Sequence, residues 1–560
     1  MTGAGSRGWL RLAPPLTLGL MAAPVLAGLA GTAMPALRDG AAAFATLAEW
    51  PGLPRAAALS LGTGLASTVI SLTLTLLIIA AFAGTPTFAR IRRLIAPLLS
   101  VPHAAAALGL AFLIAPSGWI ARALSPWLTG WEQPPNLLIL NDPYGLSLTL
   151  GLIAKELPFL LLMALAALPQ IDADRRLATA ATLGYGRIAG FALTTLPALY
   201  AQIRLPVYAV LAYGMTVVDM AMILGPTLPP TLSTQIVLWM AEASLMQRDT
   251  AAAAALLQCA LVLAALGLWR LAEIAGRRLL IAMAFHGQRR AGLDRPAAAA
   301  ALTATLVTAG SLTLGLAGLA LWSVAGLWQF PDALPANLTL RNWATALPAL
   351  SATFTTTLLI AATATLAALA LTLACLQAEA QLRLTPTTRA LTLLYLPLLV
   401  PQVAFLPGLQ FLAFSTGIEG HAAAVAAAHL IFVLPYVFLS LAGPFRAWDA
   451  RIATSAATMG ASEARIFWRL RLPMLLAPVL TACAVGIAVS VGQYLPTLLI
   501  GGGRVETLTT EAVALSSGGN RRLIGAYAVL QLALPALAFA AALAVPALWW
   551  RNRRAMRGLA

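Results

Sequence analysis

Residues 178–199 read ATAATLGYGRIAGFALTTLPAL, and residues 454–475 read TSAATMGASEARIFWRLRLPML. Under a single offset of 276, Ala180 falls on Ala456, Ala181 on Ala457, Thr182 on Thr458, Gly184 on Gly460, Phe191 on Phe467, Leu196 on Leu472 and Pro197 on Pro473. The likeness spreads outward with small insertions. Val101-Pro102 and Gly109-Leu110 mirror Val400-Pro401 and Gly408-Leu409, and Thr231-Leu232-Ser233 mirrors Thr507-Leu508-Thr509. Self-similarity at this separation makes the chain two copies of one unit. Each loop follows the fourth apolar run of its copy on the same, Arg-rich side, so the copies are same-orientation repeats about an axis along the membrane normal.

The runs around the loops set the class. Of 560 residues, 60% are hydrophobic and 10% charged, with a mean hydropathy of +0.86, which a water-solvated surface does not allow. A span needs ~20 apolar residues to cross a hydrocarbon core ~30 Å thick. Runs of that kind lie near 13–35, 56–83, 95–115, 145–169, 198–225 and 250–273, then near 299–327, 350–375, 391–414, 422–446, 474–500 and 522–549. They are continuous rather than alternating, which predicts helices and excludes barrel strands. The expected fold is an all-α integral membrane protein with about twelve transmembrane helices in two homologous six-helix halves, 1–280 and 299–560, joined by a linker over 281–298.

The net charge of +16 invites a nucleic-acid reading. Its distribution answers that, because Arg collects beside span ends on one side: Arg7 and Arg11, Arg90, Arg92 and Arg93, Arg175, Arg176 and Arg187, the cluster Arg270 to Arg295, Arg383 and Arg389, Arg446 to Arg471, and Arg551, Arg553, Arg554 and Arg557. Positive loops face the cytoplasm, so both termini are expected there, in the inner membrane of a bacterium. The clusters lack the interleaved aromatics of a nucleic-acid surface, and no nucleic-acid partner is expected. The opening Arg7, Arg11 and apolar run also fits a cleaved signal peptide, but the six-plus-six arrangement requires an uncleaved first helix. Cys259, Cys375 and Cys483 each lie inside an expected span, with neither a disulfide framework nor metal-ligand spacing.

Each repeated loop reads as a short helix, a break and a second short helix returning to the membrane. Asp174 and Asp449 are expected as N-caps. Ala180 and Gly184, like Ala456 and Gly460, recur four apart, a helix-face spacing that admits another surface close to the backbone. The glycines also suit a helix end, and Pro197 and Pro473 the start of the next span.

With these residues in place, the chain resembles the permease subunits of binding-protein-dependent ABC importers, of the type I fold. Their cytoplasmic loop carries Glu-Ala-Ala, three residues, Gly, nine residues, then Ile, any residue and Leu-Pro. Both loops fit this frame; the first departs at Ala178, Thr179 and Thr194, the second at Thr454, Ser455 and Leu470. The two-in-one layout is most similar to the fused permeases of thiamine and ferric-iron systems. Ser490 to Gly503 and the following Thr507-Leu508-Thr509 also resemble the fifth span and next loop of such permeases. The resemblance implies that Ala178, Ala180, Ala181, Gly184, Leu196 and Pro197, with Thr454, Ala456, Ala457, Gly460, Leu472 and Pro473, form two coupling helices on two copies of an ABC ATPase. It implies an extracytoplasmic solute-binding protein and uptake of a small solute. ATP and Mg would sit on the ATPase: a phosphate-binding loop needs Gly-Lys-Ser or Gly-Lys-Thr, and the sole lysine here, Lys155, follows Ala154. No cofactor and no catalytic residue are expected in this chain.

Ionisable residues inside spans cost ~2.5–3.5 kcal/mol on insertion scales and mark pathways or buried contacts. Lys155 and Glu156 fall in span four beside Pro158, Asp219 late in span five and Gln493 near its counterpart. They are expected either to line or gate the passage, the adjacent charges partly compensating, or to make buried contacts between helices. His103, His286, His421 and His429 show no ligand spacing, and no metal site is expected. Trp119, Trp127 and Trp131 lie on a long outer loop and suit interfacial anchors. A proton-coupled twelve-span secondary transporter also has two six-span halves, but leaves the repeated loop unexplained, and the segment FAGTPTFARIRR lacks the Asp-Arg core of that family.

Overall fold

The computed structural model describes residues 4–551 except Asp39, Ala243, Gln288, Arg290, Ala291 and Leu293. Arg553, Arg554 and Arg557, expected on the cytoplasmic side, lie outside the described residues, as does Arg290 of the linker. The named secondary-structure elements are all helical, as long apolar runs in lipid require. Among the described residues nine helices are long and apolar enough to cross a membrane, or up to eleven if each of two sharply bent pairs is one span.

The bent pairs are Thr388–Leu399 with Gln402–Ser415, at 86°, and Glu463–Met474 with Leu476–Val491, at 74°. The fifth expected span, 198–225, is absent from that count. It is helical over Leu196–Thr216 and again over Asp219–Leu224, but Gln202, Arg204 and its tyrosines dilute its apolarity, and the backbone turns extended at Val217. The expected linker is helical at both ends: Leu245–His286 runs past 280, and the next helix, Asp294–Val324, starts before 299.

The halves exchange helices. Ala4–Leu37 packs against Gln402–Ser415, and Asp294–Val324 against His103–Ile114, so the first helix of each half lies on the third span of the other. The mirrored glycines explain the contact. A Cβ placed on Gly315 would sit 2.6 Å from the carbonyl carbon of Gly109, and one on Gly408 would overlap the Gly28 carbonyl. Only hydrogen at these crossings lets the backbones approach so closely. Within each half, the second span packs on the fourth and fifth: Leu53–Phe82 on Leu146–Ala167 and Leu196–Thr216, and Arg341–Leu382 on Ala422–Ala447 and Leu476–Val491.

The fifth spans break in both halves, at Val217–Val218 and at Gly492–Tyr494. A break frees carbonyls that lipid cannot satisfy. The Met215 carbonyl accepts from Gln258 Nε2 at 2.9 Å and Ser233 Oγ at 3.3 Å. In the other half Thr509 Oγ1 donates to the Val491 carbonyl, and Gln531 Nε2 donates to Thr509 Oγ1 at 2.7 Å. The amides of Leu232 and Leu508 donate to Ser60 Oγ and Thr357 Oγ1, each at 2.9 Å. The mirrored Thr-Leu-Ser and Thr-Leu-Thr stretches thus secure the same break twice.

Candidate functional site

The repeated loops fold alike. The first is a helix Ala173–Thr182, a second helix Arg187–Gly190 and a π turn Phe191–Thr195 leading into Leu196-Pro197. The second is Ala450–Thr458, Glu463–Ile466 and a π turn Phe467–Arg471 leading into Leu472-Pro473. The wide turn relieves the clash a proline ring makes with the carbonyl four residues back, here Leu193 and Arg469.

Gly184 and Gly460 both have φ of +82°, a backbone that side chains disfavour. The Tyr185 amide donates to the Ala180 carbonyl at 3.1 Å and the Gly184 amide to Ala181 at 3.0 Å; Ala461 donates to Ala456 at 3.0 Å and Gly460 to Ala457 at 2.9 Å. These are two copies of the Schellman helix end. Each glycine therefore lies beyond its helix rather than on a face shared with the alanine four before it. Ala180 and Ala456 point inward; a Cβ on Gly190 would come 3.0 Å from Ala180 Cβ, so smallness at 180 serves the loop's own packing. The outward surface comes instead from Ala178, Ala181, Thr182 and Leu183, and from Thr454, Ala457, Thr458 and Met459. Leu183 is 56% exposed and Met459 81%, equivalent apolar knobs just before the glycines.

The supports differ. Asp172, with φ of +48°, occupies the first N-cap position expected of Asp174, and its side chain does not cap that helix. Asp449 does cap the second loop, accepting from the Arg451 amide at 2.9 Å. The hydrogen bond from the Arg451 side chain, with that amide, holds the Asp449 carboxyl below its ordinary range. Arg187 secures the first loop to the end of Leu53–Phe82 through the Ala80 carbonyl at 2.9 Å and the Ala83 carbonyl. In the second half, Arg446 pairs with Glu379 of Arg341–Leu382 at 2.9 Å, and Arg471 donates to Gln377 Oε1 at 2.9 Å while lying over Trp448.

Inside the membrane, Lys155 and Glu156 do not compensate each other. Lys155 Nζ donates to the carbonyls of Leu98 at 3.1 Å and Val101 at 2.6 Å, at the end of a 3-10 turn. Glu156 accepts from Ser67 at 3.2 Å and Ser71 at 3.4 Å. Both residues are buried. Asp219 begins the helix after the first break, and Gln493 lies within the second. The breaks meet across the halves, where Tyr494 Oη donates to Met222 Sδ at 3.2 Å.

A second buried cluster has no signal in residue spacing. His429 bonds Ser490 Oγ through Nδ1 and Thr497 Oγ1 through Nε2, each at 2.8 Å. Aligning Pro158 with Pro435 and the two loops with each other puts Leu152, Gly214 and Ala221 at the same places in the first half. Conversely, Val433 stands where the first half has Glu156, and aligning Ser60 with Thr357 puts Ala364 and Ala368 opposite Ser67 and Ser71. Of the tryptophans expected as interfacial anchors, Trp119 donates to the Ala333 carbonyl of the other half at 3.0 Å, while Trp127 is exposed.

A multi-pass helical protein with interrupted spans and twin extramembrane loops is built as a membrane transport subunit. The family described as "Binding-protein-dependent transport system inner membrane component" matches residues 383–550. The chain is 32% identical over 494 residues to the inner membrane ABC transporter permease protein YnjC of Escherichia coli, covering 88% of each chain. Shorter likenesses extend to the molybdenum transport system permease protein ModB of Mycobacterium tuberculosis, 38% over 93 residues, 17% of this chain and 33% of that one. The spermidine/putrescine transport system permease protein PotC of Haemophilus influenzae is 25% identical over 142 residues, 25% of this chain and 55% of its own. No solved structure matches. The chain belongs to the inner-membrane permeases of binding-protein-dependent ABC transporters, which sets aside the proton-coupled alternative.

Proposed function

We propose that this chain forms both halves of the pore of an importer, a fused permease of the thiamine or ferric-iron kind, with 1–280 and 299–560 as the halves and both termini in the cytoplasm. Each loop, through the residues from Ala178 to Pro197 and from Thr454 to Pro473, docks on one of two ABC ATPase copies that hold ATP and Mg. An extracytoplasmic binding protein delivers a small solute. The observation that carries this reading is the twin Schellman end, with Leu183 and Met459 presented alike. Two equivalent apolar knobs in one chain suit two identical receptors. Closure of the ATPase pair would move the loops, and through the ties of Arg187, Arg446 and Arg471 would move the second span of each half. The passage would then open alternately to the two sides, as rigid halves rock about a site at the broken spans. Asp219 and Gln493 mark that level, with Glu156 and Lys155 on the adjoining fourth span.

The test is purification of the tagged chain in mild detergent from its native host. Two ATPase copies per chain are expected, and both are expected to be lost in Gly184→Arg/Gly460→Arg. Absence of an ATPase, or its retention by the double variant, would remove the basis for the docking assignment.

A further inference from the structure

The two loops begin their second helix with the same backbone but different chemistry. Gly186 has φ −62° and ψ 162°, and Ser462, its equivalent under the 276 offset, has φ −67° and ψ 155°. Ser462 is a self-supplied N-cap: its Oγ accepts from the Arg465 amide at 3.3 Å. Gly186 has no side chain to do this. The acceptor comes instead from 107 and 106 residues away in sequence, within the connection between the halves. Asp294 Oδ2 accepts from the Arg187 amide at 3.1 Å and Oδ1 from the Ile188 amide at 3.0 Å. One step earlier, the Gly186 amide donates to the Arg289 carbonyl at 2.6 Å. A Cβ on Gly186 would lie 2.9 Å from Asp294 Oδ2, so the glycine and the distant carboxylate occupy one space between them. Three successive amides of the first loop, otherwise orphaned at a helix start, are thus satisfied by the inter-half connection.

We infer that the connection between the halves is a working part of the first ATPase-docking loop, with Asp294 as a positioning residue that holds the loop's second helix in its docking geometry. The inference rests on the docking reading above and goes beyond it in making the two contacts unequal. The second short helix of the second loop is capped by its own Ser462, whereas that of the first is capped only while Arg289 and the start of Asp294–Val324 are in place. Since Asp294–Val324 packs against His103–Ile114 of the first half, the clamp also ties the first loop to the helix exchanged between halves. Movement of that helix relative to the first half would reach one ATPase copy directly through Asp294, with no equivalent path to the other among the described residues.

The test uses the full chain with its ATPase in lipid nanodiscs, and reads amide exchange by residue together with cargo moved per ATP hydrolysed. Asp294→Ala is expected to speed exchange at Arg187 and Ile188 roughly five- to tenfold, the scale of a lost helix cap. Exchange at Arg465 should be unchanged, and cargo moved per ATP should fall severalfold. Gly186→Ser added to Asp294→Ala transplants the cap of the second loop into the space just vacated. It is expected to restore both protection and coupling, a rescue that a general folding defect would not show. Unchanged exchange in Asp294→Ala, or restored protection without restored coupling, would overturn the inference while leaving the docking reading intact. If Gly184→Arg/Gly460→Arg still retains the ATPase, the docking reading fails first, and the functional role of the clamp falls with it.

Discussion

The first and second loops share a fold and differ in almost everything that supports it. Both end a helix on a glycine at φ +82°, both pass through a π turn, and both enter a span at Leu-Pro. Yet the first leans on main-chain carbonyls of Leu53–Phe82 and on Asp294, while the second uses Asp449, Ser462 and the Glu379 and Gln377 side chains of Arg341–Leu382. What is common to both copies is the presented surface, and what has diverged is the scaffolding. The intramembrane clusters show the same pattern. Each half keeps one polar cluster, Glu156 with Ser67 and Ser71 or His429 with Ser490 and Thr497, at positions where the other half is apolar. The duplicated unit has kept its exposed loop surface and drifted within.

The sharpest way to break that comparison is to exchange the clusters. Leu152→His puts an imidazole at a fully buried position where Gly214 and Ala221 stand in the places of Ser490 and Thr497, and is expected to cost several kcal/mol. The reciprocal His429→Leu leaves the Ser490 and Thr497 hydroxyls without the imidazole and is expected to cost about 1–3 kcal/mol. Thermal unfolding of the purified chain ranks the two; equal small shifts would mean that the clusters are interchangeable and the divergence neutral.

Smaller effects probe the caps. Ser462→Ala should destabilise the start of the second loop's second helix by ~1 kcal/mol, seen as faster exchange at Arg465, with Arg187 and Ile188 of the first loop unaffected. A response at both loops would show that they are coupled more tightly than their separate supports suggest.

The smallest expected effect is one of pH. Asp449 has a lowered carboxyl pKa in the folded loop, so its stabilisation is fully present above the ordinary carboxylate value and is lost as pH falls through the lowered one. Acidification through that window should reduce protection at Arg451, after correction for intrinsic exchange. The first helix of the first loop, which Asp172 leaves without a side-chain cap, should show no such step. A matching step there would reveal a titrating support not apparent in its hydrogen bonds.

Much of this was legible in the residues. The apolar runs, the duplication, the twin loops and their glycine ends all rest on local rules: span length, helix termination and proline chemistry act over a few residues and leave a mark at fixed spacing. Spacing misplaced the first N-cap, because Asp172 and Asp174 are equally good by composition and the left-handed turn at 172 decided between them. It also suggested that Lys155 and Glu156 offset each other. Adjacent residues on a helix face different ways, and only the arrangement of neighbours sends one to Leu98 and Val101 and the other to Ser67 and Ser71.

By itself, then, the sequence determined a membrane-spanning helical chain, its internal repeat and the outline of its twin loops, because lipid demands self-satisfied backbones and those demands are met within single helices. Tertiary structure alone decided that the first helix of each half lies on the other half, that the fifth spans break at matching levels, and that Asp294 completes a helix more than a hundred residues before it. Those outcomes depend on which surfaces meet once the helices assemble, and no periodicity in the chain records the partner of a side chain that far away.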